Sequence, residues 1–153
     1  MPTTTHSRSL HIDAPVATVF DYVKDPHNFY DVISEVPGSG LVSHMKAELT
    51  DVSMTPDGGV GTTYAFRGKL FIFNLDAVLT REDFAVNERI VDHSNRGVTW
   101  TSTFEPDETG TTYTLACSMS AKVPLMDKVE DLSWHGDRDL DQMLGRFKEV
   151  IEG

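Results

Sequence analysis

The chain has 153 residues, of which 39% are hydrophobic, and carries a formal charge of −11 at neutral pH. That charge excludes nucleic acid as a partner, because phosphate binding needs a basic surface, and it disfavours anionic membrane surfaces. What stays open is an uncharged or partly apolar small molecule.

A chain of this length suits one domain spanning residues 1–153, able to bury about 70% of its unfolded surface. No run reaches the roughly 18 apolar residues of a membrane-spanning helix, so no membrane insertion is expected. The opening MPTTTHSRSLHI lacks the apolar core of a signal peptide. A single cysteine, Cys117, cannot form an internal disulfide. That agrees with a reducing cytoplasm.

In chain order, Thr4 to Ile12 reads as a first strand with Leu10 and Ile12 on one face. Asp13-Ala14-Pro15 carries a helix-start signature, a capping side chain followed by proline. Val16, Val19, Phe20 and Val23 then recur at helical spacing. Asp25-Pro26 repeats the signature, followed by Phe29, Tyr30 and Ile33, and Pro37-Gly38-Ser39-Gly40 stops the segment. From Leu41 to Ala121 the period changes to two. Leu41–Leu49 alternates, Thr55–Gly59 is a turn, and Thr62, Tyr64 and Phe66 share a face. Gly68-Lys69 marks a further turn. Phe71, Phe73, Leu75, Ala77 and Leu79 form the strongest alternation. Val86–His93 follows as a strand, Ser94–Gly97 as a turn, and Val98, Trp100, Ser102 and Phe104 as the next strand. After the hairpin loop Glu105–Gly110 come Tyr113, Leu115, Cys117 and Met119. About six strands at this spacing predict an antiparallel meander.

Val123 to Gly153 reads as one long amphipathic helix, with Val129, Leu132, Leu140, Met143, Leu144, Phe147, Val150 and Ile151 on its apolar stripe. A broad helical stripe needs a concave partner, and a curved sheet supplies one. Gly136 interrupts the stripe, beside Trp134 and His135. It marks either a kink that leaves room for a ligand or a simple helix break. The Val123–Gly136 half is the candidate gate and Leu140–Ile151 the candidate anchor.

Chemistry-bearing motifs are sparse. The histidines at 6, 11, 27, 44, 93 and 135 show no i, i+4 metal pair, and one cysteine builds no zinc cluster, so neither a metal nor a cofactor is expected. No nucleophile elbow or phosphate-binding glycine loop occurs. His11 and His44 read as solvent-facing strand residues, Cys117 as a buried inert thiol, and Asp21, Asp25 and Asp31 as surface charges.

The element order and the opening SLHIDAPVATVFDYVKDPHNFYDV, with Ala14, Pro15, Val19, Phe20, Val23, Asp25 and Phe29, resemble the START/Bet v 1-like (SRPBCC) superfamily. The polyketide cyclase/dehydrase and lipid-transport branch is the most similar, and LDQMLGRFKEVIE resembles its closing helix. The resemblance implies an α+β helix-grip fold. In that fold a curved seven-stranded antiparallel sheet and two short helices wrap around a long C-terminal helix, with a hydrophobic cavity between them. The cavity candidates are Phe29, Tyr64, Phe66, Phe73, Leu75, Trp100, Phe104, Tyr113, Leu115, Met119, Trp134, Leu140, Met143 and Phe147. The same pattern fits a solid core. Cyclases of the branch use a pocket arginine with tyrosine and tryptophan neighbours. By resemblance Arg81 matches the arginine, Phe29 stands at the tryptophan and Val36 near the tyrosine, where valine cannot move a proton. Tyr64 and Tyr30 are the possible substitutes. The bland alternative for Arg81 is a solvated strand end paired with Glu82 or Asp83.

Two main functions follow. The favoured one is a non-enzymatic carrier or sensor of a lipid-like or polyketide-like molecule. The alternative is a cyclase/dehydrase-type enzyme using Arg81, in which Arg81→Ala would abolish turnover and spare the fold. A protein-interaction module is the weaker third.

Overall fold

The alternation in the middle of the chain resolves into one antiparallel sheet. The computed structural model describes residues 3–35, 48–70, 73–120 and 137–153. Its elements are β1 (Thr3–Ile12), α1 (Val16–Val23), α2 (Pro26–Glu35), β2 (Glu48–Ser53), β3 (Thr63–Leu70), β4 (Phe73–Ala85), β5 (Arg89–Ser94), β6 (Val98–Pro106), β7 (Thr111–Ser120) and α3 (Asp137–Glu152). The strands lie in the order β1-β7-β6-β5-β4-β3-β2. This is the expected helix-grip arrangement, with α3 packed along β1 at one edge.

The strand boundaries correct the sequence reading in two places. Gly68 and Lys69 are not a turn. They lie inside β3, in register with Leu75 and Asn74 of β4. The strand expected at Val86–His93 begins at Arg89, because β4 runs on to Ala85 and Val86–Glu88 forms the turn. Asn87 there has a φ of 62°, a left-handed conformation that asparagine tolerates better than most side chains.

The two helix starts differ physically. At α2 the Asp25 carboxylate accepts the His27 N–H at 2.9 Å, capping a helix whose first residue is Pro26. At α1 the cap position is Pro15, and no side chain caps it. Asp13 instead turns its backbone N–H to the Glu152 carboxylate, 2.9 Å away at the end of α3.

In α3, Leu140, Met143, Leu144 and Phe147 are fully shielded, whereas Val150, expected on the stripe, is exposed. The expected helix began at Val123. Residues 121–136, with Gly136, Trp134 and the candidate gate, lie outside the described residues. So do residues 41–47 of the strand expected at Leu41–Leu49.

One end of the grip is held by polar contacts. His11 is not a plain solvent-facing residue. Its Nδ1 lies 2.6 Å from Asp107 and its Nε2 3.2 Å from the Thr109 hydroxyl in the β6–β7 hairpin. Lys148 of α3 donates to the His11 carbonyl at 3.1 Å and pairs with Glu152. The hairpin sits so close that a Cβ at Gly110 would fall 2.3 Å from the Ile12 carbonyl oxygen.

The hydrogen bond with His11, aided by Thr112 and the N–H groups of Thr109 and Gly110, lowers the Asp107 carboxyl to about 2 from an ordinary 3.8. A depressed carboxylate adds stability above its ordinary range, and this is lost as pH falls toward the folded value. The urea midpoint of Asp107→Asn should therefore lie below that of the parent at pH 7. The gap should close between pH 4 and pH 2, and a constant gap would contradict the contact.

Candidate functional site

Strand periodicity places one set of side chains on the concave face, and their exposure changes along the strands. Toward the α1 end, Ile12, Phe20, Ile90, Phe104, Tyr113 and Leu115 are shielded from water, and Leu10 and Phe84 are partly buried. Phe20 fixes this packing, with its ring 5.3 Å from Phe84 and 5.4 Å from Phe104. Phe104 stacks on Tyr113 at 5.0 Å, and Tyr113 meets Phe147 edge-on at 5.5 Å. Toward the opposite end, Tyr64, Phe66, Leu79 and Cys117 stay shielded, while Leu49 on β2, Ala77 on β4, and Val98 and Trp100 on β6 are half-exposed.

Helix α2 crosses this second end. Its adjacent residues Phe29 and Tyr30 reach different arms of the sheet. Phe29 meets Trp100 edge-on at 5.5 Å and Phe147 at 5.7 Å. Tyr30 stacks on Phe66 at 5.9 Å, and Phe66 lies between Leu49 and Ala77 in the strand register. Burial is the largest cause that raises the Tyr30 phenol, ahead of the charges of Glu48 and Asp31. The candidate site is thus an aromatic and aliphatic surface under α2. Its members come from β2, β4, β6 and the face of Phe66.

The candidates from the sequence fall into four groups. Phe104, Tyr113, Leu115, Leu140, Met143 and Phe147 lie in the shielded core. Phe29, Phe66 and Trp100 gather at the half-exposed end, with Tyr64 beneath them at 5.7 Å from Phe66. Phe73, Leu75 and Met119 occupy strand positions in register with Leu70, Gly68 and Val98. Trp134, Val36 and His44 lie outside the described residues.

Arg81 is neither solvated nor paired with Glu82 or Asp83. It is 2% exposed. Its Nε donates to Asp92 Oδ1 at 2.8 Å and its Nη2 to Asp92 Oδ2 at 3.1 Å. Its Nη1 donates to the Lys24 carbonyl at 2.9 Å, after α1, and to the Gly58 carbonyl at 2.6 Å, in the β2–β3 loop. All but one of the guanidinium donors are therefore committed within the protein. Tyr64 donates to Asp92 Oδ2 at 2.6 Å. Burial, then the Asp92 charge, pushes the Tyr64 phenol well above its ordinary range. The nearby Tyr113 phenol, 2.9 Å from the Ser102 hydroxyl, is raised by burial as well. A general acid works best with a pKa near the working pH. These phenols move the other way, and Arg81 is occupied as a tie between helix, loop and sheet.

Asp92 was not singled out in the sequence, yet it organises this cluster. Its signal was present. Ile90, Asp92 and Ser94 alternate inward on β5, and a carboxylate on an inward face requires a buried partner. Among the described residues no cluster of His, Cys, Asp and Glu has the makings of a metal site. No described helix is long and apolar enough to cross a membrane.

This architecture, a curved seven-stranded antiparallel sheet gripping a C-terminal helix, is the Bet v 1-like fold. The family model described as polyketide cyclase / dehydrase and lipid transport matches residues 3–152, and the chain belongs to that family. Similar solved structures include TTHA0849 from Thermus thermophilus, at 18% identity and a TM-score of 0.64, covering 98% of this chain and 97% of that one. The solution structure of KanY is likewise 18% identical, with a TM-score of 0.62 and full coverage of both chains. Ara h 8.0201 is 13% identical, with a TM-score of 0.57, 99% of this chain and 97% of that one being covered. At these identities the likeness shows the fold alone. No curated protein matches the chain in sequence.

Proposed function

We propose that the chain is one ligand-binding domain, a carrier or sensor that holds a hydrophobic small molecule between its sheet and helices. The observation that carries this reading is a set of apolar, half-exposed inward side chains, Leu49, Ala77, Val98 and Trp100, at the end of the sheet that Phe29 and Tyr30 of α2 reach. Burying such a surface is favourable at about 25 cal/mol per Å², so an apolar ligand that covers Trp100, Leu49, Ala77 and Val98 gains by it. The shielded residues below form the floor. Small-molecule sites are typically apolar surfaces with a few fixed polar groups, and the Tyr30 hydroxyl supplies such a group. The reading places the protein in the reducing cytoplasm, in keeping with its lone buried cysteine.

The enzymatic alternative is less well supported, because its arginine is committed to Asp92 and two carbonyls and its nearby phenol is a weaker acid than usual. Titration with N-phenyl-1-naphthylamine, a neutral apolar fluorophore, tests the binding reading. The parent should bind it saturably. Trp100→Ala should weaken binding about tenfold, the loss of one stacked aromatic contact, with the fold retained. Equal affinity in parent and variant would remove Trp100 from the site.

A further inference from the structure

We infer that the site selects neutral ligands against anionic ones, because Arg81, the described cation beneath its floor, is already neutralised within the protein. This deepens the binding reading above and rests on it. A buried anion needs a counter-ion or a set of unspent donors, and the cost of lacking both is large. Arg81 is the charged guanidinium of the concave face beneath the aromatic surface, and its donors go to Asp92, Lys24 and Gly58. Asp92 cancels its charge and also accepts the hydrogen bond that the Tyr64 hydroxyl donates. The other described cation that meets α3 from the concave face of β1, Arg8, is paired with Asp141 at 2.9 Å.

The wider field points the same way. A formal charge of −11 repels an approaching anion before it reaches the site. The ligand class is therefore an uncharged molecule, aromatic or aliphatic, with at most a hydroxyl or carbonyl group for the Tyr30 phenol. Free fatty acids, phosphorylated lipids and sulfonates are disfavoured.

Two probes sharing one skeleton test this: N-phenyl-1-naphthylamine and its sulfonated counterpart 8-anilinonaphthalene-1-sulfonate. The parent should bind the neutral probe at least tenfold more tightly. In Asp92→Asn the guanidinium loses its counter-charge, and the gap should narrow through tighter sulfonate binding. Equal affinities in the parent, or an unchanged gap in a folded Asp92→Asn protein, would overturn the inference while leaving the binding site standing. If neither probe binds the parent, the binding reading fails and takes the inference with it. Should Asp92→Asn not fold, by circular dichroism, the comparison of the two probes on the parent decides.

Discussion

Replacing Arg81 with alanine should destabilise the fold by about 3–5 kcal/mol, the cost of leaving a buried charge without its partner. In a domain of this size that corresponds to a fall of roughly 10 °C in thermal midpoint. Arg81 and Asp92 are 2% and 6% exposed, so water cannot replace the lost contacts. The change also strips donors from the Lys24 and Gly58 carbonyls, releasing the end of α1 and the β2–β3 loop from the sheet together. A triple change, Arg81→Met with Asp92→Leu and Tyr64→Phe, should recover part of the loss, since it removes both charges and the dependent hydroxyl while leaving the two carbonyls without their donor. Circular dichroism melts of the two variants check this. If Arg81→Ala melts within about 2 °C of the parent, a shift of under 1 kcal/mol, the tie is not structural. The catalytic alternative expected loss of turnover with the fold intact, so the same melt separates the two roles.

The second large effect is expected at Phe147. Its ring lies 5.5 Å from Tyr113, 5.7 Å from Phe29 and 6.2 Å from Tyr22. One side chain of α3 thus touches β7, α2 and α1. Phe147→Ala removes a fully shielded ring from rigid neighbours and should cost about 3–5 kcal/mol. Val150, three residues on, is exposed, and Val150→Ala should change stability by no more than about 0.5 kcal/mol. Urea unfolding of the two variants measures the contrast. Similar small losses would mean that α3 is not anchored through this stripe.

Much of the fold was legible because it rests on short-range rules. Period-two alternation marked β6 and β7 and the inward face of β3 and β4, and the Asp25-Pro26 cap marked α2. Where the reading failed, local signals competed. Gly68-Lys69 has turn composition but lies within a ladder that pairs it to β4. Val86 continues an apolar alternation, yet the left-handed Asn87 beside it makes the turn. The site was harder to read. Periodicity says which face Trp100 and Phe104 share, not that one is half-exposed and the other shielded, since that depends on where α2 crosses. Nor does sequence distance suggest that Arg81 meets the carbonyls of Lys24 and Gly58. Those contacts exist only once α1, the β2–β3 loop and β4 converge.

The central claim is that an apolar ligand sits under α2 at the half-exposed end of the concave face. Amide and side-chain chemical shifts recorded by NMR during titration with N-phenyl-1-naphthylamine test it most directly. The account predicts saturable shifts at Trp100, Ala77, Phe66, Leu49 and Tyr30, with Ile90, Phe104 and Tyr113 little changed. Shifts confined to Ile90, Phe104 and Tyr113, or saturable shifts at none of these residues, would contradict it.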